Sequence, residues 1–160
     1  MSAIASFIKL PKTALAGLRD VAVPKRRIFG GPRDDYPNYL RNHGLPTARY
    51  EWAGSILGTL LPYLGGQQIV LMSSEHDELA EYLTKSRQAT RFILTDSHRQ
   101  AFLERLKPES FSKQELGDYY NEFNETHEPE AGGPMLDGIR ALHTSLSAVD
   151  KDSVILLSIG

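Results

Sequence analysis

Two short runs without a single charge limit the fold more than any other part of the chain. Gln68-Ile-Val-Leu-Met72 and Ser153-Val-Ile-Leu-Leu-Ser-Ile159 show neither helical spacing nor polar alternation. Runs of this length and character read as strands buried in a sheet, and the first has the pattern of one covered on both faces. Thr90-Arg-Phe-Ile-Leu-Thr95 reads as a further internal strand. Ala3 to Leu10 is apolar and β-compatible, and Pro11 stops it.

Helical spacing fills most of the intervals. Lys12 to Val21 places Leu15 and Leu18 on one side, with Pro24 beyond. Thr47 reads as the N-cap of a helix to about Leu64, with Trp52, Ile56 and Leu60 in one row and Ala53, Leu57 and Leu61 in the next. That makes Trp52 a core residue. Ser74 and Asp77 resemble a capping box ahead of Leu79, Tyr82 and Leu83. Asp96 reads as the cap of a helix that carries Phe102, Leu103 and Leu106 and ends at Pro108. Ser112 and Glu115 form the clearest capping box, with Phe111 and Leu116 at the two positions of a hydrophobic staple. That helix carries Tyr119, Tyr120 and Phe123. A polar loop from Thr126 to Gly133 leads to Pro134, a first-turn proline, and a last helix with Met135, Ile139, Leu142, Leu146 and Val149.

The order β-α-loop-α-β-α-β-α-α-α-β predicts an α+β fold: a mixed sheet of about four strands covered by helices. With 160 residues and 41% hydrophobic content, the expectation is a single domain over 1–160. It contains a long irregular connection at about 24–46, punctuated by Gly30, Gly31, Pro32, Pro37, Gly44 and Pro46. The apolar start, Met1 to Ile8, is broken by Lys9 and Pro11 and has no basic region before it, which points to neither a membrane span nor a signal peptide. A cytoplasmic protein without membrane association is expected.

Composition removes several kinds of chemistry. There is no cysteine, so disulfides, thiolate zinc sites, iron–sulfur clusters and cysteine nucleophiles are excluded. The five histidines, His43, His76, His98, His127 and His143, form no H-x-x-x-H or H-E-x-x-H pair. His76 and His98 fall in first turns, where solvated or capping roles are expected. No G-x-S-x-G elbow is present. The sequence thus offers no catalytic set, no metal site and no cofactor motif. A net charge of −2 argues against a uniformly basic nucleic-acid binder, and no direct nucleic-acid contact is expected.

Charge is nonetheless unevenly placed. From Lys9 to Arg33 the chain has Lys9, Lys12, Arg19, Lys25, Arg26, Arg27 and Arg33 against Asp20 alone. Between Glu109 and Asp137 it has Glu115, Asp118, Glu122, Glu125, Glu128 and Glu130, opposed by Lys113. Asp118, Glu122 and Glu125 recur at helical spacing, where like charges repel. A solvated helix face would account for them. So would an acidic docking surface, since complementary charge steers association and selects partners. In the second case Asp118, Glu122, Glu125, Glu128 and Glu130 contact the partner, with Tyr119 or Tyr120 as an aromatic anchor. The arginine-rich loop 26–49 offers a different site. Gly30-Gly31-Pro32-Arg33 beside Arg26 and Arg27 matches neither the Walker nor the G-x-G-x-x-G pattern, but Arg27, Arg33, Tyr36 and His43 are candidate ligand-binding residues there.

Several of these segments also carry a family likeness. Met1-Ser-Ala-Ile-Ala-Ser-Phe-Ile8 followed by the helix with Leu15 and Leu18, the stretch from Ile93-Leu-Thr-Asp96 through Leu106 to Phe111-Ser-Lys-Gln-Glu-Leu-Gly-Asp-Tyr-Tyr120, and the final helix with Val154 to Ile159 resemble the YfbM-like family of bacterial domains of unknown function. The resemblance covers both ends and is weak over Pro24 to Leu64. It implies an α+β fold and brings no catalytic residues. Small cytosolic domains of this kind are often encoded among toxin–immunity loci. The expected function is therefore a non-enzymatic protein-binding domain: an immunity protein whose acidic surface blocks the basic active site of a toxin effector. A nucleotide- or small-molecule-binding domain or small enzyme using the arginine-rich loop is the alternative, and a structural homo-oligomeric subunit a further one.

Overall fold

A computed structural model of the chain describes residues 3–160, so Met1 and Ser2 of the opening apolar run lie outside it. The fold is α+β. Four strands, β1 (Ala5–Pro11), β2 (Leu45–Ala48), β3 (Thr90–Leu94) and β4 (Ser153–Ile159), form one sheet in the order β2-β1-β4-β3. Every pairing is antiparallel, where a mixed sheet was expected. Seven α-helices accompany it among the described residues: α1 (Leu15–Val21), α2 (Tyr36–His43), α3 (Ser55–Gly66), α4 (Asp77–Arg87), α5 (Asp96–Phe102), α6 (Lys113–Asn124) and α7 (Gly132–Ser147).

The unbroken apolar run of β4 is explained by its place. It lies between β1 and β3, with Phe7 opposite Leu157 and Ile93 opposite Leu156. Successive residues point to opposite faces. Ile155 and Leu157 join Phe7 and Leu94 under α3, α6 and α7, while Val154 and Leu156 join Leu10 and Ile93 under α1, α2 and α4. Both faces of β4 are thus buried, and an antiparallel strand acquires the composition usual for a parallel one.

The second charge-free run is not a strand. Gln68 sits at φ 59 just past α3; its N–H donates to the Gly65 carbonyl at 3.0 Å, and the Ile69 N–H donates to that of Leu64 at 2.8 Å. These two bonds define a Schellman cap, which favours an apolar residue after the left-handed position. Ile69 meets that requirement, and Ile69 and Leu71 enter the core while Val70 and Met72 face outward. The missing strand is supplied by β2, which straddles the end of the expected irregular connection and the first residues expected to be helical.

The helix expected from Thr47 therefore begins only at Ser55. Gly54 explains the delay: its N–H donates to the Ala3 carbonyl at 2.7 Å, and an added Cβ would lie 3.0 Å from the Ile4 carbonyl carbon. The chain is pinned there against the start of β1. The rows Ile56–Leu60 and Leu57–Leu61 survive in α3, but Trp52 falls before it and is 48% exposed, not core. Part of the 24–46 segment is also regular, since α2 and the start of β2 lie in it.

Local caps follow sequence more closely. The Ser112 Oγ accepts the Glu115 N–H at 3.2 Å, and Phe111 and Leu116 both pack on the main core. Asp77 accepts the Ser74 N–H at 2.7 Å. For α5 the N-cap is Thr95 and not Asp96; Asp96 instead accepts from Arg99 and Gln100 at 2.6 and 2.7 Å.

His98 is buried, not solvated. Its Nδ1 accepts the Thr95 N–H at 3.0 Å, so Nε2 carries the proton and donates to the Ser73 carbonyl at 2.8 Å. Burial holds the imidazole below its ordinary value, against opposing pulls from the Ser73 carbonyl and Asp77. The folded chain thus binds a second proton on this imidazole less readily than the unfolded one. The stabilisation is complete above the unfolded value of about 6.5 and is lost as pH falls toward the folded value. Melting temperature is expected to fall on acidification from pH 7 to 5, with a shallower fall in His98→Gln, measured by scanning calorimetry.

Candidate acidic and aromatic docking face

The α6–α7 connection is a built loop. α6 ends in a second Schellman cap: the Thr126 N–H donates to the Asn121 carbonyl at 3.0 Å, and Glu125 occupies the left-handed position at φ 53. The Asn121 side chain then holds the loop from within. Its Oδ1 accepts the Thr126 hydroxyl at 2.9 Å and the Glu128 N–H at 2.7 Å, and its Nδ2 donates to the Glu128 carbonyl at 3.0 Å. Gly117 and Gly132 let α6 and α7 meet backbone to backbone, since a Cβ on Gly117 would stand 3.2 Å from the Gly132 nitrogen.

Beside this loop the chain before α3 presents aromatic surface. Tyr50 is buried and donates to the Pro134 carbonyl at 2.9 Å; burial, with Asp137 nearby, pushes its phenol up. Trp52 donates from Nε1 to Asp137 Oδ2 at 2.9 Å, and Asp137 Oδ1 accepts from Arg140 at 2.6 Å. The indole is thus fixed while half of it remains exposed.

Trp52, Ile56, Tyr120, Ala131 and Pro134 line an apolar depression of about 250 Å³, with Glu128 and Glu130 among its lining residues. On the other side of the loop, Gln114, Asp118, Asn121 and Glu128 line a polar cleft of about 440 Å³. Asp118, Glu122, Glu125, Glu128 and Glu130 are all exposed. The acidic residues expected at an interface thus lie on α6 and its following loop, and two of them border an aromatic hollow. Tyr119 is placed differently: it is half-buried in the α3–α6 seam, 4.9 Å from Tyr63 and 5.7 Å from Phe123 between ring centroids. Tyr120 is the tyrosine at the hollow. Trp52 is the aromatic that helical spacing assigned to the core, and Phe123 on α6 is half-exposed.

Glu125 stands in an unfavourable setting for its own helix. A non-glycine left-handed residue is strained, and a carboxylate at a helix C-terminus opposes the macrodipole. Glu125→Gly is expected to raise stability by up to about 1 kcal/mol while weakening a basic partner severalfold. Calorimetry and titration of the same preparation measure the two effects.

The alternative ligand residues do not converge. Tyr36 is buried, with Arg87 and Arg91 guanidinium carbons 4.4 and 5.5 Å from its ring centroid. Arg33 is bonded to Asp35 at 2.6 Å. His43 packs on Tyr39 at 4.1 Å at the far end of α2, about 10 Å along the helix from Tyr36. Arg27 is exposed on the loop between α1 and α2. Among the described residues no group of three or more histidine, aspartate or glutamate side chains is placed to hold a metal ion, and no helix is long and apolar enough to cross a membrane. Comparison with protein-family models, with curated proteins and with solved structures gives no match to this chain.

Proposed function

We propose that the protein is a non-enzymatic binding protein that docks its acidic and aromatic face on a basic site of a partner. In its sharpest form it is a bacterial immunity protein acting in the cytoplasm. The carboxylates of Glu122, Glu125, Glu128 and Glu130 occupy a toxin effector's active site in place of substrate phosphate. The observation that supports this most is the meeting of Glu128 and Glu130 with Trp52 and Tyr120 around one hollow. Interfaces draw most of their energy from a few aromatic anchors in desolvated pockets, with polar residues excluding water around them. Likeness of the chain ends to YfbM-like domains adds to the immunity reading.

The test is recovery of partners from native lysate by the tagged protein, at low and raised salt, with identification by mass spectrometry. One stoichiometric partner with a basic active site, lost at high salt and inhibited by the purified protein, is the expected result. A stabilising response to a nucleotide or phosphorylated metabolite, with no specific protein recovered, would instead favour a small-molecule site.

A further inference from the structure

The loop between α1 and α2 carries the two most exposed large apolar side chains among the described residues: Ile28 at 94% and Phe29 at 89%. They are held out on a fixed stem. Lys25 and Arg33 exchange both backbone hydrogen bonds, at 2.8 and 2.9 Å. Arg87 of α4 clamps the two sides, donating to the Ala22 carbonyl at 3.3 Å and to both Asp34 oxygens at 2.9 and 2.8 Å. Gly30 at φ 90 turns the chain back. Around the apolar tip stand Lys25, Arg26 and Arg27, with no carboxylate from 25 to 33, while Arg33 on the stem is paired with Asp35. Adjacent exposed apolar side chains on a fixed support mark a contact site.

Its complement lies on the same molecule. The loop follows α1, in the layer that covers one face of the sheet, and the acidic hollow lies between α3, α6 and α7 on the other. A chain therefore does not reach its own hollow with its own loop, whereas a neighbour's loop does. A dry cavity of about 150 Å³ accepts a benzene ring, so a hollow of about 250 Å³ has room for one phenyl side chain.

We infer that the basic loop of one copy seats Phe29 in the acidic hollow of a second copy, with Arg26 and Arg27 facing Glu128 and Glu130. The two surfaces differ, so the contact is heterologous and extends to chains or closes to a ring. It rests on the reading of the hollow as a docking site and adds regulation to it. A second copy occupies the surface that the basic partner needs, so assembly and partner binding compete.

Sedimentation velocity of the full chain over a concentration series up to about 100 µM, which exceeds the Kd of a micromolar contact, tests this at low and raised salt. The wild type is expected to gain mass with concentration and to lose the gain in salt. Phe29→Asp alone and Glu128→Lys/Glu130→Lys alone remain monomeric. Mixed in equal amounts they form a one-to-one dimer and nothing larger, because one intact loop and one intact hollow remain. Circular dichroism of each variant confirms folding, which substitution of these exposed side chains leaves intact. A monomeric wild type throughout the series, or a mixture that stays monomeric, overturns the inference. Binding of the loop to phosphatidylserine-containing vesicles by a monomeric protein, abolished by Phe29→Asp, overturns it in favour of a lipid surface. Phe29→Asp retains the acidic face, so partner capture by that variant separates failure of self-association from failure of the docking reading.

Discussion

Replacing Glu128 and Glu130 by lysine is expected to weaken the complex with a basic partner by two orders of magnitude or more. Both residues border the apolar hollow between Trp52 and Tyr120, where a docked partner excludes water. Loss of one partner from a desolvated charge pair costs about 2–5 kcal/mol, which corresponds to roughly 30- to several-thousand-fold in Kd. Reversal adds like-charge repulsion to that loss. The fold should be unaffected, because both side chains are exposed and the loop is held through the Glu128 backbone and Asn121, not through the carboxylates. Isothermal titration with an unchanged melting temperature is the required pair of measurements. The reversal should mostly raise the dissociation rate, whereas Asp118→Lys, further out on α6, should lower the association rate at low salt. Unchanged affinity in the double variant would exclude this interface.

The second large effect is on stability. Gly132 opens α7 directly against α6, and a Cβ there would run into the Lys113 carbonyl group, which is backbone and has no rotamer to give. Gly132→Ala is expected to cost about 2–3 kcal/mol, in the range of overpacked cores. For a chain of this size that lowers the melting temperature by roughly 5–10 °C. The neighbouring Gly133 is the control. Its Cβ would lie 3.4 Å from the Lys113 Cε, the far end of a flexible side chain, so Gly133→Ala should be neutral or mildly stabilising through helix propensity. Since Gly132 also sets where the acidic loop enters α7, its substitution should weaken partner binding as well, and that of Gly133 should not. Equal melting temperatures for the two variants would show that the helices separate without cost.

Features fixed by neighbouring residues were legible in the sequence. The Ser112 cap and its staple, the apolar rows of α3 and α7, and the strands β1, β3 and β4 lie at the expected places along the chain, although β3 is an edge strand of the sheet and not the internal one expected. Features fixed by distant contacts were not. β2 is an edge strand of four residues paired with β1, and Leu45-Pro-Thr-Ala48 has no apolar alternation and a single β-branched residue, Thr47, to announce it. Gln68 to Met72 has the composition of a strand, yet the Schellman cap after α3 turns it into a strap. The Gly65-Gly66 pair ahead of it reads equally well as either ending.

The candidate site divides along the same line. Its carboxylates were visible as a run of charge, because a cluster between Glu109 and Asp137 is local in sequence. Its aromatic part was hidden. Trp52 is in register with Ile56 and Leu60, and only the contact of Gly54 with the start of β1 prevents the helix from extending back to include it. Tyr119 and Tyr120 are adjacent, and which of them faces the hollow depends on the packing of α6 against Tyr63. The arginine-rich segment shows the converse. Its residues are close in sequence, but Arg87 and Arg91 from α4 and β3 take up Tyr36 and Asp34.

Hydrogen–deuterium exchange of the purified complex against the free protein locates the docking surface without any substitution. Docking through the acidic and aromatic face slows exchange at Trp52 to Leu57 and at Asn121 to Gly133, and leaves the 25–33 loop as it is in the monomer. Protection elsewhere, with those two segments exchanging as in the free chain, would contradict the assignment of this face.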